Sequence, residues 1–237
     1  MWNRAEVKAK GKESMKRNYW NSVLVSFIMG LFLTTTAGSV GNKSTELQGE
    51  LNELNLDDPN VVAAILIVLG AIGTILVVMS LVDIFLLNPL EVGCQRFFVK
   101  NLNENAAVGE LGHVYKNNYL NSVLGIFLKN FVIGIGFCLF LIPGFILTYS
   151  YRLVPYLLAE DTAISGNNAL KKSRELMKGH KWNAFVYDLS FLGWEILAIC
   201  TCGILGLFYV NPYKKNADAA LYKAIIGENV ANTTFNQ

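Results

Sequence analysis

Apolar runs and polar gaps alternate along this chain at a spacing set by bilayer thickness. A spanning helix needs about 20 apolar residues, and the runs Trp20 to Val40, Val61 to Leu87 and Tyr119 to Ile142 meet that length. Phe145 to Leu158 is shorter and polar in places, and Trp182 to Thr201 supplies a fifth run. The sixth starts at Ile204 to Val210 and continues through Pro212 as a kinked helix to Ile226. Backbone at bilayer depth must bond to itself, so each run is predicted helical. The expected fold is all-α: a polytopic transmembrane bundle of about six helices in a single domain over residues 1–237.

Three boundary segments repeat one pattern. Residues 15–24 read MKRNYWNSVL, 115–124 read YKNNYLNSVL, and 177–186 read MKGHKWNAFV. Lys16, Lys116 and Lys178 align, as do Asn21, Asn121 and Asn183. A lysine at headgroup level, then amphipathic rings, then an apolar run is the order in which a chain passes from water into lipid. Each apolar stretch ends at a proline, in Leu87-Asn88-Pro89, Leu153-Val154-Pro155 and Val210-Asn211-Pro212. The chain therefore reads as three pseudo-repeated helical hairpins. Ile142-Pro143-Gly144 and the stretch from Cys202 to Gly206 mark two tight turns, because proline removes a donor and glycine relaxes the backbone.

Composition sharpens this. Of 237 residues, 53% are hydrophobic and 16% charged, against about 25% charged in soluble domains. The charge is segregated. Residues 1–18 form a basic arm with Arg4, Lys8, Lys10, Lys12, Lys16 and Arg17, whereas the insert at 38–60 is acidic. Lysines and arginines also gather at 88–118, 161–181 and in the tail at 212–237, which puts both termini in the cytoplasm and the insert outside the cell membrane. A cleaved signal peptide over the first 38 or so residues is a competing reading; the same boundary pattern opening internal runs argues against it. The segment from Ala163 to Gly179 is predicted as a helix lying on anionic lipid, or as a solvated connector packed on the bundle. No basic stripe with interleaved aromatics suggests nucleic acid as a partner.

Charges inside spans are costly and mark candidate function. Asp83, Lys129, Asp188 and Glu195 form the candidate intramembrane polar site. Lys129 can pair with Asp83 or Asp188, and Glu195 shares a helical face with Asp188. Neutralised pairs that fix helix packing are the competing account. Trp20, Tyr119, Arg152 and Trp182 are candidate interfacial lipid contacts, with Tyr149, Tyr151 and Tyr156 crowding nearby as a ring girdle. His113 and His180 lack partners for zinc, and Cys94, Cys138, Cys200 and Cys202 read as small hydrophobes. No nucleophile elbow or P-loop occurs, so no catalytic residue, metal or cofactor is expected.

IPGFILTYSYRLVPYLLAED, KKSRELMKGHKWNAFVYDLSFLGW and NPYKKNADAALY, with the opening MWNRAEVKAKGKESMKRNYW, together resemble the bacterial integral membrane family called domain of unknown function 975. The resemblance implies a polytopic membrane protein and carries no activity. The expectation is a non-enzymatic membrane component that binds lipid, a membrane protein partner or a second copy of itself. A small transporter or channel using the buried charges is the alternative.

Overall fold

The computed structural model describes residues 2–33, 59–117 and 119–235; the end of the first apolar run and nearly all of the acidic insert lie outside them. Every regular element among the described residues is helical. They are α1 (Arg4–Arg17), α2 (Tyr19–Leu33), α3 (Pro59–Val82), α4 (Asn88–Asn101), α5 (Tyr119–Leu139), α6 (Leu141–Ser150), α7 (Val154–Glu160), α8 (Gly166–Leu176), α9 (Lys181–Leu189), α10 (Leu192–Cys200) and α11 (Asn211–Phe235). Among the described residues, three stretches are long and apolar enough to cross a membrane: Pro59–Asn101, Tyr119–Leu139 and Lys181–Cys200. The expected fourth span is cut at Tyr151 to Leu153, because Pro155 has no N–H for the Tyr151 carbonyl and starts a new helix at Val154.

The basic arm is a structural element. Asn3 caps α1, its side chain accepting from Ala5 N at 2.9 Å. The helix lies along α11, and a Cβ on Gly11 would sit 2.4 Å from the Ala217 backbone. The predicted tail is therefore half of a tight helix pair. Asn101 of α4 closes this region from below. Its amide donates to Asn216 Oδ1 at 2.8 Å and to Ser14 Oγ at 3.1 Å, and its Oδ1 accepts from Asn18 at 2.7 Å. Asn216 donates to Ser22 at 3.2 Å. Five polar side chains from α1, α2, α4 and α11, with the residue joining α1 to α2, satisfy one another away from water.

The Asn-Pro signals and the repeated tyrosine meet in one device. Pro89 has no N–H, so the Phe85 carbonyl four residues earlier has no helical donor. The helix widens to a π turn over Asp83–Leu87, and Tyr119 donates its hydroxyl to Phe85 O at 2.8 Å. Pro212 does the same to Phe208, inside the π turn Gly206–Val210, and Tyr19 donates to Phe208 O at 2.8 Å. Tyr115 adds a bond to Leu86 O at 2.6 Å. Tyr19 and Tyr119 hold the same place in the two copies, at the starts of α2 and α5, and each satisfies a carbonyl that an Asn-Pro pair elsewhere has orphaned. Burial also runs in parallel: residues 22, 23, 25 and 26 are buried and 20, 24 and 27 exposed, as are 122, 123, 125, 126 and 120, 124, 127.

The predicted amphipathic connector is α8, capped by Ser165. Its apolar stripe packs inward: Ala169, Leu170, Ser173 and Met177 are buried, and Ser173 Oγ donates to Ser150 O at 2.9 Å. The stripe covers α5 and α7 and is not offered to lipid. Gly166 crosses α5 at Gly125, where an added Cβ would stand 2.7 Å from the Gly125 Cα. The α5–α6 hairpin turns at Phe140, which is extended, two to four residues before the predicted Ile142-Pro143-Gly144. Pro143 sits in the first turn of α6, where its missing N–H costs nothing. The second predicted turn falls where expected, with Cys202 and Gly203 at φ of 52° and 85°.

Candidate functional site

Among the described residues, the core helices frame an open polar cavity of about 360 Å³. Its wall draws Glu91 and Gln95 from α4, Lys129 and Asn130 from α5, Arg152 from the turn after α6, and Lys215 and Asp218 from α11. Lys129 donates to Glu91 at 2.8 Å, both side chains being largely buried. Arg152 forms a fork onto Asp188, at 2.6 and 2.9 Å, and reaches Asp218 at 2.9 Å. Tyr149 donates to Asp188 at 3.0 Å and Tyr187 to Asp218 at 3.1 Å. Desolvation works against the Arg152 charge, but the two carboxylates more than offset it and hold its pKa above the ordinary value. Burial, with Asp218 nearby, pushes the Tyr156 phenol in the same wall well up, so it stays neutral.

Sequence-predicted residues are placed as follows. Lys129 meets neither Asp83 nor Asp188; its partner is Glu91, two residues beyond Pro89. Asp188 belongs to Arg152, and Glu195 pairs with Lys214 at a more exposed position. Asp83 lies in the π turn, half-buried, outside the cavity wall. Among the lipid-contact candidates, Trp20 and Trp182 are 74% and 71% exposed. Tyr119 spends its hydroxyl on Phe85 O, and Arg152 is turned inward onto two partly buried carboxylates. His180 is buried and no metal-ligand cluster forms among the described residues.

Two groups in the wall have unmet demands. Lys215 has no carboxylate within ion-pair distance among the described residues, unlike Lys129 and Arg152. Gln95 is 4% exposed, and its Oε1 accepts no hydrogen bond there. A buried orphan acceptor is unfavourable unless something supplies a donor. Sequence reasoning missed both, since Gln95 and Lys215 fall in stretches read as connector and tail. A second, apolar groove of about 220 Å³ lies between α6 and α9, lined by Phe145, Ile146, Tyr149, Trp182 and Phe185 with Lys181 at its edge.

Residues 61–229 match the family described as protein of unknown function (DUF975). No curated protein and no solved structure matches the chain.

Proposed function

We propose that this chain, which belongs to the DUF975 family of proteins of unknown function, is a non-enzymatic membrane component that binds lipid through its polar cavity. Both termini lie on the cytoplasmic side of the cell membrane in this reading. The observation that carries it is the pair of unmet groups in the cavity wall. Lys215 requires an anionic acceptor, and the buried Gln95 Oε1 requires a donor. A phosphodiester headgroup that also bears a hydroxyl or ammonium supplies both. The surrounding charges are already paired, so they build the cavity without competing for the ligand. The parallel burial of the two repeated segments supports an internal duplication as the origin of the scaffold.

Lipid retained through purification in native membrane discs, identified by mass spectrometry, tests this. Phosphatidylglycerol is expected to be enriched over phosphatidylcholine, whose quaternary ammonium has no N–H to donate. Lys215→Gln is expected to lower retention of phospholipid roughly tenfold. Retention equal to that of bulk lipid in both proteins would count against the reading.

A small transporter is the second reading, favoured by the helix broken beside the cavity at Arg152. It predicts solute or ion flux in proteoliposomes that falls at least tenfold in Lys129→Gln. Flux that is absent, or indifferent to that change, removes it.

A further inference from the structure

The α5–α6 hairpin separates its charges from its tip. Lys129, halfway along α5, and Arg152, just past α6, bound its uncharged part, and both are engaged by carboxylates. Its tip holds Leu139, Phe140, Leu141 and Ile142, which are 65–74% exposed. No charged residue occurs between Lys129 and Arg152. A hairpin that crossed the bilayer would put these four side chains into the far water layer and the charged base in mid-membrane. Both placements are unfavourable.

Length points the same way. α8 carries Lys171, Lys172, Arg174 and Lys178 on its exposed side, so it belongs in water or headgroups. It touches α5 at Gly125, where the two backbones meet. Hydrocarbon can therefore begin only beyond Gly125. With the paired Lys129 at headgroup level, the helix rises about 16 Å from there to Phe140, and the ten residues of α6 rise about 15 Å. The hydrocarbon core is about 30 Å thick. The close approach of Gly136 to Gly144 holds the two legs together as a single wedge, an added Cβ on Gly136 standing 3.2 Å from the Gly144 Cα.

We infer that the α5–α6 hairpin is a docking surface for the acyl chains of one leaflet: it enters the membrane from the side of the termini, ends near the midplane and returns to the same side. The partner is lipid hydrocarbon, and the paired charges at the base mark headgroup level. This goes beyond headgroup binding in the cavity and does not require it. The termini stay on one side, as do the basic connectors around the hairpin. The protein then occupies more area in that leaflet than in the other.

Single cysteines test it in full-length protein whose exposed Cys138, Cys200 and Cys202 are replaced by serine, the remaining Cys94 being buried. Lys12→Cys on α1 and Asn60→Cys at the start of α3 report the two faces. Phe140→Cys and Ile142→Cys report the tip. With a membrane-impermeant maleimide, Lys12→Cys is expected to react from one side and Asn60→Cys from the other. The tip cysteines are expected to react at least tenfold more slowly than either reference, from both sides. A spin label at position 140 is expected to be relaxed by oxygen and not by a water-soluble nickel chelate. Tip labelling from the Asn60 side would mean a full crossing and overturn the inference. Tip labelling from the Lys12 side would mean a hairpin lying in water and overturn it equally. Neither result bears on lipid retention in the cavity, so the two proposals fail separately.

Discussion

Arg152→Met is expected to lower the unfolding free energy by about 3–5 kcal/mol. The guanidinium is the shared cation of Asp188 and Asp218, with side chains 17%, 26% and 11% exposed. Methionine fills the space but leaves two carboxylates facing each other at the cavity wall. The intact cluster is not claimed to add net stability, since an apolar replacement of all its members can be as stable. The cost comes from leaving charge behind. The triple change Arg152→Met, Asp188→Asn, Asp218→Asn is therefore expected to recover most of the loss. Denaturant titration in detergent micelles, followed by tryptophan fluorescence, measures both. A single variant within about 1 kcal/mol of the parent would show the cluster to be loosely hydrated.

Asn101→Leu is expected to cost about 3 kcal/mol, the second-largest effect. Leucine matches the volume but removes the donor held by Asn216 and Ser14 and the acceptor held by Asn18. Those groups sit where α1, α2, α4 and α11 meet, and after the change Asn216 Oδ1 keeps Ser14 Oγ and Asn18 keeps the Ala106 carbonyl, so the network is thinned rather than emptied. α1 is held by this network and by the Gly11–Ala217 approach, so its loosening should be visible directly. Trypsin is expected to cut at Lys8, Lys10 or Lys12 about tenfold faster than in the parent, with the far-ultraviolet helix signal nearly unchanged. Equal cleavage rates would mean that the backbone contact alone retains the arm.

Helix and membrane class were legible because both follow from local composition. Trp20 and Trp182 were readable as exposed rings for the same reason. The partners of the charges were not. Lys129 was assigned by depth to Asp83 or Asp188, yet it meets Glu91, because α4 continues past Pro89 into the core instead of ending at a water boundary. A proline at the start of a helical segment is tolerated when the preceding turn widens. Nothing local distinguishes that from a stop. Asp218 and Lys215 were passed over because a polar C-terminal helix reads as a tail until its partner is known.

Residues 15–24 and 115–124 determined on their own that two helices start alike, because the order of lysine, ring, asparagine and apolar run is a local partition between water and hydrocarbon. Tertiary structure alone decided what the tyrosines in those segments do: each reaches a carbonyl orphaned by a proline far away in sequence, at Phe85 or Phe208. It also decided that the basic arm is a packed helix and that Gln95 and Lys215 share a cavity wall. The division has one physical cause. Transfer from water to lipid is a property of each segment by itself, whereas a hydrogen bond or ion pair needs a second group whose position only the packing of distant helices supplies.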